Sequence, residues 1–91
     1  MKVSDMVKKV IDAKSFETPQ WGQIRLKWVD TGGMSEEDLE KATHHLGKLV
    51  YRETVNIEID GRELKPGCEA EVTLGKVNVN DEMRKFVRGL R

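Results

Sequence analysis

A single cysteine, the absence of net charge and the absence of any long apolar run bound what this chain can be. Cys68 stands alone in 91 residues, so no internal disulfide can form, and the disulfide-stapled class of small secreted domains is excluded. Sixteen Lys and Arg face sixteen Asp and Glu. That balance is unsuited to non-specific coating of DNA or RNA, which rests on neutralising several phosphates, but it leaves room for a local basic patch. No apolar stretch approaches the roughly 20 residues of a membrane span. The opening MKVSDMVKKVIDAKSF is interrupted throughout by lysines, unlike a secretion signal. Cytoplasmic residence, with no membrane partner, is the default expectation. Internal repeats, low-complexity tracts and long linkers are missing too, and 91 residues suffice for one hydrophobic core but not two.

Catalytic signatures are equally scarce. Thr31-Gly32-Gly33 lacks the glycine spacing and terminal Lys-Ser or Lys-Thr of a phosphate-cradling loop and reads as a strand-to-helix turn. His44 and His45, the two histidines, are adjacent on a helix. Their side chains diverge by about 100°, so they cannot share one metal ion. Ser4 and Ser35 fit helix caps, and Cys68 has no base near it in sequence. Glu36-Glu37-Asp38 and Asp81-Glu82 occupy first turns of helices, where the helix dipole accounts for them. The expectation is a protein with no catalytic residue, no metal site and no cofactor.

What is present is clear periodicity. Val3, Met6, Val7, Val10 and Ile11 fall at helical spacing, with Lys8, Lys9, Asp12 and Lys14 opposite, which predicts a first helix. From Trp21 to Val29 the period becomes two, with Ile24, Leu26 and Trp28 on one side and Trp21, Gln23, Arg25 and Lys27 on the other, as in a half-buried strand. Ser35 as N-cap, with Met34 and Leu39 as a hydrophobic staple, opens a second helix whose stripe runs through Ala42, Leu46 and Leu49. Val55, Ile57 and Ile59 alternate in a strand. Asp60-Gly61 suits a hairpin turn into a return strand over 62–65, and Pro66-Gly67 suits a type II turn. Ala70, Val72 and Leu74 form another strand, with Gly75 as a bulge before Val77 and Val79. Asn80 would cap a third helix carrying Met83, Phe86, Val87 and Leu90. The sum is an α+β two-layer sandwich in the order α-β-α-β-β-β-α, with three amphipathic helices against a three- to four-stranded, mostly antiparallel sheet. Met6, Ile11 and Trp28 belong to the core of that arrangement.

Two surfaces remain for a partner. Trp21, Arg25 and Lys27 share a strand face, and Arg52 begins the next strand. Arg84, Lys85, Arg88 and Arg91 form a second basic patch on the last helix. Each has a plain alternative: Arg25 and Lys27 can pair across strands with Glu58, Glu69 and Glu71, and cations near a helix C-terminus complement its dipole. Tryptophan with arginine is the usual anchor of an interface. The expected function is therefore a non-enzymatic interaction or regulatory module that binds a protein partner, a second copy of itself included. The alternative is binding of RNA or single-stranded DNA by an aromatic and basic sheet face.

Overall fold

The computed structural model describes residues 1–60 and 67–90. The chain runs β1 (Lys2–Met6), β2 (Lys9–Asp12), β3 (Ser15–Thr18), β4 (Gly22–Leu26), α1 (Glu36–Val50), β5 (Thr54–Glu58), β6 (Cys68–Leu74), β7 (Val77–Asn78) and α2 (Val79–Leu90). It is an α+β structure, but among the described residues the expected three helices on a small antiparallel sheet are replaced by two helices and a seven-stranded mixed sheet, ordered β1-β5-β6-β4-β3-β2, with β7 paired to β6. β4 and β6 are parallel, and the other pairs are antiparallel.

The expected first helix is the largest correction. β1 and β2 occupy opposite ends of the strand order, yet only Val7 and Lys8 separate them. Val7 N donates to Glu53 O on the β5 side, and Lys8 N donates to Glu17 O on the β3 side. Residues 2–12 are thus one bent strand whose first half pairs with β5 and whose second half pairs with β3, which closes the sheet into a barrel. The bend explains the misleading pattern. The residues turned inward are Val3, Val7, Val10 and Ala13, fully or partly buried, and a kinked, bulged strand has given them spacings of three and four. Met6 and Ile11, expected in the core, are each 42% exposed.

Counted as one strand, residues 2–12 join β3, β4, β5 and β6 in a five-stranded barrel, with α1 inserted between β4 and β5. That order and those directions are the OB-type Greek-key arrangement. Its interior is filled by Phe16, Ile24, Leu26, Val55, Ile57, Ala70 and Val72, all buried. β5 shows the simple alternation, with Val55 and Ile57 buried and Thr54, Asn56 and Glu58 exposed.

Helix α1 forms where its cap and staple place it. Ser35 Oγ accepts from Asp38 N at 3.1 Å, and Met34 and Leu39 both pack against the core. Its His45 ring stacks on Phe86 of α2, with centroids 4.0 Å apart and planes within 4°. α2 starts two residues earlier than expected. Asn78 is its cap, with Oδ1 accepting from Asp81 N at 3.0 Å. Asn80 is instead fully buried: its Oδ1 accepts from Val72 N at 2.8 Å, and its Nδ2 donates to Ala70 O at 2.9 Å and Lys27 O at 3.1 Å. The carboxamide thereby satisfies the edge of β6 beyond the point where β4 has ended. Gly75, expected as a bulge, has φ 59° in the two-residue turn joining β6 to β7, where Leu74 faces Val77. The hairpin turn at Asp60-Gly61, the return strand over 62–65 and Pro66 fall wholly or partly outside the described residues.

Candidate functional site

Strand β4 is anchored by Ile24 and Leu26 in the barrel, and Arg25 between them points out, opposite Glu69 of parallel β6. Lys27 continues outward. Its Nζ crosses the outer surface of β6 to form an ion pair with Asp60. That hydrogen bond holds the Lys27 ammonium above its ordinary value against the opposing effect of burial, and Glu69 and Glu71 add to the rise. The same bond lowers Asp60. Lys27 is thus paired with a carboxylate, but with Asp60, beyond the end of β5, and not with the Glu58, Glu69 or Glu71 that the cross-strand alternative named.

The backbone then turns sharply. Trp28 has φ 64°, in the left-handed region that costs a bulky residue strain. The turn reverses parity, so Val29 goes into the core at 5% exposure and Trp28 stands out at 60%. Strict alternation had placed Trp28 inside. The signal that could have found it was Val29, an apolar residue directly before the Asp30-Thr31-Gly32-Gly33 break, which fits the inward side as well as Trp28 does.

The exposed indole is where cations converge. Lys27 Nζ and Arg84 Cζ each lie 5.6 Å from its ring centroid, within the range of cation–π attraction. A shallow groove of about 250 Å³ on one side is lined by Trp28 with Lys14, Arg25, Asp30 and Glu69. A second, of about 160 Å³, is lined by Trp28 with Asp30, Arg84, Val87 and Arg88. Arg84 is paired with Asp81 in the first turns of α2. Lys14, Arg25 and Arg88 make no ion pair among the described residues. Sequence reasoning named Arg25, Lys27, Arg84 and Arg88 in two separate clusters. The fold brings them to one tryptophan, together with Lys14 and Asp30, which the sequence did not single out.

The other named residues lie apart from these grooves or contribute less. Trp21 sits at the β3–β4 turn, half-buried and packed on the core. Its Nε1 is buried with no hydrogen-bond partner among the described residues. Arg52, with φ 63°, is in the turn between α1 and β5, its guanidinium 5.4 Å from the Tyr51 ring, in a different groove with Met6, Val7 and Lys8. Lys85 is exposed on α2 and lines neither groove beside Trp28. Arg91 lies outside the described residues. His44 is exposed, and His45 is engaged with Phe86. Among the described residues no three His, Cys, Asp or Glu side chains are placed to hold a metal ion, and no helix is long and apolar enough to cross a membrane.

Neither a protein-family model nor a curated protein matches the chain.

Proposed function

We propose that this is a non-enzymatic binding module whose ligand is a single-stranded nucleic acid, RNA or DNA, engaged at Trp28. One observation carries the reading: a tryptophan 60% exposed on a strained backbone, bordered by cations from three elements, of which Lys14, Arg25 and Arg88 make no ion pair among the described residues. Exposing an indole forgoes about 2 kcal/mol of burial. Single-strand binders use such rings as stacking platforms worth about 1–3 kcal/mol per base, beside cations that follow the phosphates. The OB-type barrel supports the reading without assigning it, since fold alone does not fix function. Zero net charge fits a local footprint of a few phosphates in place of a long electrostatic track.

A protein partner, a second copy included, is the other reading. The pairing of Lys27 with Asp60 and of Arg84 with Asp81 favours it, because tryptophan ringed by neutralised arginine and lysine is also the composition of a protein interface hot spot. Fluorescence anisotropy of labelled oligo-dT and oligo-U at low salt separates the two. Nucleic-acid binding predicts affinity that falls with added salt and drops about tenfold in Trp28→Ala, with Trp21→Phe close to wild type. No oligonucleotide binding, together with concentration-dependent self-association lost in Trp28→Ala, would transfer the site to a protein partner.

A further inference from the structure

Trp28 is the wall shared by two grooves, and each groove offers a pair of cations drawn from different parts of the chain. Lys14, from the turn between β2 and β3, and Arg25, from β4, line the first, together with Glu69 opposite Arg25. Arg84, which is paired with Asp81, and Arg88, one turn further on α2, line the second. Asp30 lines both. Its Oδ1 accepts from Gly32 N at 2.9 Å, which fixes the side chain at the junction of the two grooves. Leu26 and Val29, at 2% and 5% exposure, clamp the backbone on either side of Trp28, and the left-handed turn holds the ring between the grooves.

Resting on the nucleic-acid reading above, we infer that a bound strand crosses the Trp28 ring from one groove to the other. One phosphate lies on Lys14 and Arg25, the next on Arg84 and Arg88, and the nucleoside between them stacks on the indole. The ligand class is thus a single strand with at least two consecutive phosphates. A duplex, whose base faces are closed by stacking, is a poor substitute. Helix α2 is part of the binding surface in this account, and its basic face has a role beyond matching the helix dipole.

The test is the salt dependence of binding of an eight-nucleotide oligo-dT to the wild type, Trp28→Ala, a Lys14→Gln/Arg25→Gln pair and an Arg84→Gln/Arg88→Gln pair. Thermal unfolding of each variant confirms that it is folded. A single-strand phosphate contact contributes about 0.7 to the slope of log K against log salt. Each double variant is expected to bind several-fold more weakly and to flatten the slope by about that amount, while Trp28→Ala weakens binding with the slope kept. A folded Arg84→Gln/Arg88→Gln variant with unchanged affinity and slope would overturn the crossing while leaving a Trp28 site on the β4 side intact. Absence of binding by the wild type at low salt would instead remove the functional reading on which the inference rests.

Discussion

At the scale of single residues, two tryptophans exchange the roles that alternation gave them. Trp21 was legible as a residue near the surface, but its ring packs on the core at a turn. Even spacing after Ile24 and Leu26 predicts Trp28 in the core, and nothing in that spacing announces a left-handed turn at residue 28. Asn80 was legible as important to the last helix but not for the reason found, because its three partners come from residues 27, 70 and 72, which only the tertiary fold assembles. Replacing it removes the partners of the Val72 amide and the Lys27 carbonyl, and one of the two bonds to Ala70 O, which Lys27 N also donates to. Asn80→Ala should lower stability by about 3 kcal/mol, and Asn80→Asp should also destabilise because a carboxylate cannot donate to Ala70 O and Lys27 O; urea unfolding checks both. The Lys27–Asp60 pair gives a pH signature. Asp60 is lowered from its ordinary 3.8, so its contribution is present above that value and is lost as pH falls through the still lower folded value. Lys27 is raised from 10.5, so its contribution is present below that value and is lost only as pH rises through the higher folded one. Asp60→Asn should therefore reduce the unfolding temperature by a constant amount through the neutral range. The gap should close as pH falls below the ordinary aspartate range, which calorimetry across acid pH would reveal.

At the scale of elements, the helices were legible where caps and stripes agree. α1 has Ser35, three acidic residues in its first turn and the Met34–Leu39 staple, all local signals that tertiary context did not override. Ser35→Ala removes the bond to Asp38 N and should cost about 1 kcal/mol, measured as a shift in denaturation midpoint without change in its slope. α2 was placed to within a residue or two. The first segment failed because periodicity assumes one straight element with one buried side. A strand that changes partners at Val7 and bulges near Ile11 moves its inward positions out of phase, and the resulting spacings of three and four imitate a helix. Its content of Val3, Val7, Val10 and Ile11, β-branched throughout, was the competing signal for a strand.

At the scale of the molecule, the partner surface was half legible: the residue types were right, and their grouping was not. Arg25 and Lys27 were tied to one strand and Arg84 and Arg88 to a distant helix, because no sequence pattern reports that α2 packs beside the loop leaving β4. The bonds of Asn80 to Lys27, Ala70 and Val72 produce that meeting, and the left-handed turn at residue 28 turns out the one exposed tryptophan among the described residues. The central claim is that Trp28 faces the ligand. The most direct measurement is a fluorescence titration of the Trp21→Phe variant, in which Trp28 is the sole tryptophan, with oligo-dT at low salt. The account predicts a red-shifted emission in the free protein, quenched on binding and restored by added salt. A blue-shifted emission that oligonucleotide leaves unchanged would contradict it.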